Sequence, residues 1–213
     1  MLKVKKFIFN PFSENTFIVS NESNDAVIID PGCYYKSERN KIDEYIDHHQ
    51  LIVNAILHTH SHLDHMFGTH YILEKYNVDL WIHNEDYITY NSFEKVCSLY
   101  GIPNTSFPSK KPLYFTSDPF IKIKNIEFQV LFVPGHSPGH VAFYSKENNF
   151  VINGDCLFES SIGRTDLPGG NHDQLIQSIK NNLFQLPDET IVYTGHGGET
   201  TIGREKKENP FLA

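Results

Sequence analysis

Apolar positions along the chain follow two periods. Residues 2–9, 16–20, 26–30, 52–57, 79–83, 126–133, 141–145, 150–153 and 190–194 are short runs, mostly β-branched or aromatic and closed by Gly, Pro or Asn. That pattern predicts strands. Val27-Ile28-Ile29 and Ile191-Val192-Tyr193 are continuously apolar, as expected of strands covered on both faces. Other stretches carry a helical period. Residues 36–50 place Ile42, Tyr45, Ile46 and His49 on one stripe, and residues 66–76 carry Phe67, Tyr71 and Ile72 at helical spacing. Residues 86–100 show the same period, as do residues 173–186 through Leu175, Ile176, Ile179 and Leu183. The stretch 102–119 holds four prolines and predicts a surface connection. Many short strands with about four helices imply a layered α/β (α+β) fold, two sheets with helices outside. No composition shift or short repeat marks a boundary, so residues 1–213 are expected to form one domain.

Composition narrows the classes. The chain is 39% apolar and 21% charged, near globular norms and unlike a disordered chain. Its net charge of −8 offers no basic track for nucleic acid. No run approaches the ~18 apolar residues of a membrane span, so no membrane partner is expected. The apolar stretch Phe7-Ile8-Phe9 is too short for a signal-peptide core. Cys33, Cys97 and Cys156 have no zinc-like spacing, and an odd number argues against a disulfide framework. A soluble, cytoplasmic protein is expected. One count stands out: there are 12 His against 13 Gly. Histidine is the commonest metal ligand and a frequent general base.

The densest group is His58-Thr59-His60-Ser61-His62-Leu63-Asp64-His65, between an apolar strand and an amphipathic helix. In an extended loop, residues two apart face one way, which aims His60 and His62 together. Asp64 and His65 fall at the helix start, where Asp64 could also cap it. Four nitrogen and oxygen donors within six residues can supply parts of two adjacent sites for Zn²⁺, Fe²⁺ or Mn²⁺. Further donors stand in three similar contexts: Pro134-Gly135-His136, Gly154-Asp155 and Gly195-His196-Gly197. Each follows an apolar strand and opens into a Gly-containing turn, where backbone can approach a ligand closely. Pro138-Gly139 breaks any helix that would align His140 with His136, so His140 is expected to support rather than ligate. His58 is expected to orient the loop, and His48, His49, His70, His83 and His172 to lie on the surface or in packing.

The order His60-x-His62-x-Asp64-His65, His136, Asp155, His196 resembles the metallo-β-lactamase fold superfamily of hydrolases. Within it, the segment from Gly154-Asp155 through Gly163-Arg164-Thr165-Asp166 to Gly169-Gly170 is similar to short bacterial glyoxalase II-like proteins, the hydroxyacylglutathione hydrolase group. The resemblance implies a four-layer αβ/βα sandwich, two mixed sheets flanked by helices, with two divalent metals at one edge. Zinc is the first expectation, with iron or manganese as alternatives. One metal would take His60, His62 and His136, the other Asp64, His65 and His196, and Asp155 would bridge them. Asp30 would support a ligand histidine from behind. Longer glyoxalase II enzymes append a helical domain that helps to hold glutathione, whereas this chain stops 17 residues after His196. Arg164 stands where those enzymes carry a glutathione-contacting lysine, and its fork suits a carboxylate.

The implied activity is hydrolysis of a thioester, an S-acylglutathione such as lactoylglutathione, by a hydroxide bridging the metals, with Asp64 orienting it. Three rivals remain at this stage. An iron-dependent persulfide dioxygenase shares a similar Gly-Arg-Thr-Asp segment. A non-catalytic metal-binding module is a second, from another class. A β-lactamase is weaker, because no export signal is read and some carry Cys at the position of Asp155, whereas Cys156 is one residue along and faces the other way.

Overall fold

The computed structural model describes residues 1–103, 105–115 and 119–212. The N-terminal half begins with β1 (Lys3–Phe9), β2 (Glu14–Ser20), β3 (Asp25–Ile29), α1 (Lys36–His48) and β4 (Ile52–Leu57). It continues through α2 (Leu63–Met66), α3 (Thr69–Tyr76), β5 (Asp79–Ile82), α4 (Tyr87–Asn91), α5 (Phe93–Leu99) and β6 (Leu113–Tyr114). The second half contains β7 (Phe120–Ile123), β8 (Ile126–Phe132), β9 (Val141–Ser145), β10 (Phe150–Ile152), β11 (Leu157–Phe158) and β12 (Ser161–Ile162). It closes with α6 (His172–Asn181), β13 (Ile191–Tyr193), β14 (Thr200–Thr201) and α7 (Ile202–Glu208).

Two six-stranded mixed sheets result, ordered β1-β2-β3-β4-β5-β6 and β14-β13-β10-β9-β8-β7. Strand alternation builds the layers. Phe17, Val19, Val27, Ile29, Ala55 and Leu57 of the first sheet meet Phe128, Phe143, Phe150 and Ile152 of the second, filling the space between the sheets. The alternate residues Ile18, Ile28 and Ile56 face outward and pack on Ile42 and Ile46 of α1 and Ile72 and Leu73 of α3. On the far side Ala142, Tyr144, Val151 and Val192 pack on Leu175 and Ile179 of α6. Helices, sheet, sheet, helices: the expected four layers are present.

Several predicted elements differ in detail. The helix expected over 66–76 divides at Gly68, whose N–H donates to the Pro31 carbonyl at 2.7 Å. A side chain there would strike Cys33 Sγ, so glycine permits the close approach that ends α2. The helix expected over 86–100 becomes α4 and α5 around Ser92, whose hydroxyl bonds the Thr89 carbonyl at 2.7 Å. The helix expected over 173–186 stops at Asn181 and gives way to a 3-10 turn, Leu183–Gln185. Asp64 lies inside α2 and His62 holds its N-cap position, so Asp64 is not the cap. Ile191 of β13 is exposed, so that strand is not covered throughout. Strands β6, β7, β11, β12 and β14 and helix α7 are additions. Residues 104 and 116–118 of the predicted connection lie outside the described residues.

The topology gathers chemistry at one edge. Parallel β3 and β4 end together and lead into Asp30 and the His58–His65 segment. In the other sheet β10 and β13 are parallel, and β8 runs with them because both β8 and β10 pair antiparallel with β9. Their ends lead into Asp155, His196 and His136. No helix among the described residues is long and apolar enough to cross a membrane.

Candidate metal centre

His60, His62 and His136 bring their ring nitrogens together. His62 Nδ1 lies 2.8 Å from His136 Nε2, which is 3.2 Å from His60 Nε2. Asp64, His65 and His196 form a second group: His196 Nε2 is 3.2 Å and His65 Nε2 3.7 Å from Asp64 Oδ2. Asp155 stands between them. Its Oδ2 is 3.6 Å from His136 Nε2 and 3.4 Å from His196 Nε2, and its Oδ1 is 3.5 Å from His65 Nε2. All seven residues named from the sequence therefore meet in one place, and both triads meet the geometry of a metal-holding group.

Outward hydrogen bonds fix how the rings face. His136 Nδ1 donates to the Arg164 carbonyl at 2.8 Å, and His196 Nδ1 to the Phe12 carbonyl at 3.0 Å. Asp30 Oδ1 accepts from the Thr59 amide at 2.7 Å and Oδ2 accepts the Thr59 hydroxyl. With its proton so committed, Thr59 Oγ1 accepts from His60 Nδ1 at 3.0 Å. Asp30 Oδ2 also faces His65 Nδ1 at 3.2 Å, so one carboxylate supports two rings. Each of these four rings spends its Nδ1 proton outward and presents Nε2 inward. His140 Nε2 accepts the Asp155 amide at 3.1 Å, and its ring stacks on His60. It braces Asp155 and His60 and does not join either triad.

The charges are those of a site built for cations. Burial holds His60 well below the usual imidazole range, and takes His62 down to about 3. Neutral His60 and neutral His136 then aim bare nitrogens at each other across 3.2 Å. Burial lowers His196 too, but Asp155 and Asp64 outweigh it and raise the ring to about 10. His65 is likewise pushed up against its burial by Asp64 and Asp155. Two buried carboxylates thus demand positive charge, and His65 Nε2 and Asp155 Oδ1 have no hydrogen-bond partner. Facing bare nitrogens, orphaned buried atoms and two buried carboxylates that draw charge onto His65 and His196 fit a pair of divalent cations.

Glycines make room for this. A side chain at Gly195 would lie 2.0 Å from Asp155 Oδ1. At Gly154, with φ +51°, one would lie 2.3 Å from Thr59 Oγ1.

The centre opens on a cleft of about 1190 Å³. Its walls carry Ile88, Val96, Leu99 and Tyr100 on one side and Leu167 and Pro168 on another. Arg164 lines the cleft, but its Nε and Nη2 each donate to Asp166 at 2.7 Å. Lys95, on α5, lines it without an ion partner among the described residues. Sequence reading named neither Lys95 nor Asp86. The buried Asp86 carboxylate accepts from Ser137 Oγ at 2.7 Å and Gly139 N at 3.2 Å, bracing the turn that bears His136.

Comparison with known proteins agrees with this architecture. Residues 9–196 match the metallo-beta-lactamase superfamily, and the chain belongs to that family. Among curated relatives, it is 35% identical to the hydroxyacylglutathione hydrolase GloC of Haemophilus influenzae, over 94% of this chain and 93% of that protein. It is 36% identical to the probable metallo-hydrolase YqgX of Bacillus subtilis, over 99% and 98%. Among solved structures, the BLEG-1 B3 metallo-beta-lactamase superposes with a TM-score of 0.90 at 34% identity, covering 99% of this chain and all (100%) of that one. TTHA1623, solved in a di-iron-bound form, gives 0.87 at 36% identity, covering 98% and 100%. The chain is thus similar to metallo-hydrolases over its length.

Proposed function

We propose that this protein hydrolyses a thioester, with an S-acylglutathione such as lactoylglutathione as the leading candidate, in the cytoplasm. Two three-donor groups joined by Asp155 and opening on an apolar-walled cleft carry this reading. His60, His62 and His136 would hold one divalent ion and Asp64, His65 and His196 the other, with Asp155 contacting both. Zinc suits these nitrogen and carboxylate donors; the di-iron form of TTHA1623 makes iron the main alternative. When bound, such a pair supplies a water of lowered pKa and a Lewis acid for the carbonyl oxygen.

The protein's own groups do the rest. Asp64 lines the cleft and faces His196 Nε2, and on this reading it would orient the attacking water. A thiol leaves as an anion without a strong general acid. None is required here, and Cys33, Cys97 and Cys156 are all buried. The apolar walls exclude water from the acyl group and the body of the thiol. Lys95 would meet a carboxylate of the carrier, and Arg164 could do so by releasing Asp166. Neither nucleic acid nor membrane enters this reading.

Metal analysis of the purified protein, alongside lactoylglutathione hydrolysis, tests it. Two ions per chain with turnover is the expected result. One iron per chain with oxygen uptake on glutathione persulfide would replace it with the dioxygenase. A β-lactam belongs in the same panel because of the likeness to BLEG-1. Two ions with no turnover of any thioester, lactone, β-lactam or persulfide would leave a metal-binding module.

A further inference from the structure

The turn between β1 and β2 and the first two residues of β2 bear none of the seven donors, yet this segment reaches the second group repeatedly. Asn10 Nδ2 donates to the Asp64 carbonyl and to the Gly32 carbonyl, both at 2.9 Å. The Phe12 carbonyl accepts His196 Nδ1. Asn15 N–H donates to the Gly195 carbonyl at 2.7 Å. The Asn15 side-chain amide donates to the Thr194 carbonyl at 2.8 Å and the Gly197 carbonyl at 3.1 Å, gripping the loop on both sides of His196. The Glu14 carboxyl, fully buried, has Oε1 3.9 Å from His65 Nδ1.

The first group hangs on other parts of the chain. His60 is held by Thr59, His136 by the Arg164 carbonyl, and the His136 turn by Asp86. Asp30 supports both groups, meeting His65 directly and His60 through Thr59.

We infer that the β1–β2 turn together with the start of β2 is the positioning element of the second metal group, acting chiefly through Asn15. It sets the affinity of that group without setting the affinity of the first. The inference rests on the two-metal reading above. Its physical basis is the loop itself. Gly195, Gly197 (φ +74°) and Gly198 surround His196, and glycine-rich backbone loses much conformational freedom when it is fixed. The His196 side chain is 27% exposed, whereas those of His65 and His136 are at most 2% exposed, so packing alone restrains it less than those two. Asn15, itself 1% exposed, supplies the missing restraint through two donors on fixed carbonyls. An aspartate would turn a carboxylate oxygen toward those carbonyls and push the loop away.

The test is a zinc titration of the full chain under chelator competition. Histidine-ring NMR signals of His62 and His196 report the two groups separately. In Asn15→Asp and Asn15→Ala, zinc affinity read at His196 is expected to fall about 10–100-fold, the usual range for a supporting contact, while that read at His62 stays unchanged. Asn15→Ser, which restores one donor, is expected to recover part of the loss. A general packing defect would weaken both groups together and lower the melting temperature of the metal-free chain. Should Asn15→Asp fail to fold, Asn10→Ala removes the bond to the Asp64 carbonyl and is read the same way. Equal losses at both groups, or none at either, in folded variants would overturn the inference. A wild-type chain that takes up only one ion instead removes the two-metal reading, and this inference with it.

Discussion

Four imidazoles present Nε2 to the centre because something outside claims each Nδ1 proton. The acceptors are Thr59 Oγ1 for His60, Asp30 for His65, the Arg164 carbonyl for His136 and the Phe12 carbonyl for His196. His62 is the exception and aims Nδ1 inward. Asp155 is the carboxylate that faces histidines of both groups. Asp155→Ala is therefore expected to lower both metal content and hydrolysis, the rate by more than the ~100-fold upper range for losing a supporting contact. Metal analysis beside steady-state kinetics checks this, and full activity in a metal-depleted Asp155→Ala protein would refute the assignment. The ligands were legible because His60 to His65 is one local pattern and the other three sit in Gly turns after apolar strands. Their supports were not. Asn15 and Thr194 are 179 positions apart, and Asp86 and Ser137 are 51 apart. Nothing about a lone Asn or Asp in sequence marks the carbonyl or hydroxyl it will meet.

Helices and strands were legible to different degrees. Strand centres stand out because burial on both faces leaves continuous apolar runs, as in β3. β6 and β11 have two residues each, too short for any period to register. The helical period of 66–76 and 86–100 survives the breaks at Gly68 and Ser92, so periodicity reported the buried faces and missed the interruptions. Helix α6 depends on its N-cap residue: Asn171 Oδ1 accepts from Gln174 N at 3.0 Å, and Asn171 N–H donates to the Gly135 carbonyl at 2.7 Å. Asn171→Ala keeps the second bond and loses the first. Its expected cost is about 1 kcal/mol, a melting temperature lower by roughly 2–4 °C for a chain of this size. Thermal denaturation measures it, and an unchanged melt would show that the cap contributes nothing. Helix α5 carries the prediction for substrate. Lys95 is exposed at the cleft wall and has no ion partner among the described residues, so its charge acts through solvent. Lys95→Ala is expected to raise KM for an anionic thioester roughly 1.5- to 5-fold, leaving kcat and the KM of an uncharged thioester unchanged. Equal changes for both substrates would place the carboxylate elsewhere.

Across the whole molecule, the two sheets share more than the apolar layer between them. The first supplies His60, His62, Asp64 and His65 from the segment after β4. The second supplies His136, Asp155 and His196 from the ends of β8, β10 and β13. Each triad draws donors from both sheets, so each bound ion would tie one half of the chain to the other. Without ions, the folded state holds facing bare nitrogens and two buried carboxylates, arrangements that the unfolded chain does not suffer. Folding and metal binding are then linked, because a site assembled from both halves exists only in the native chain. With free ion at about 1000 times its dissociation constant, one bound ion adds about 4.1 kcal/mol. At roughly 2–4 °C per kcal/mol for a chain of this length, chelation should lower the melting temperature by roughly 8–16 °C for each ion removed. Re-addition of zinc should restore it, and Asp155→Ala, which lacks the shared carboxylate, should respond to neither treatment as strongly. Melts that coincide with and without chelator, in protein shown to have lost its metal, would mean that packing between the sheets alone sets the stability. The metals would then serve chemistry without serving the fold.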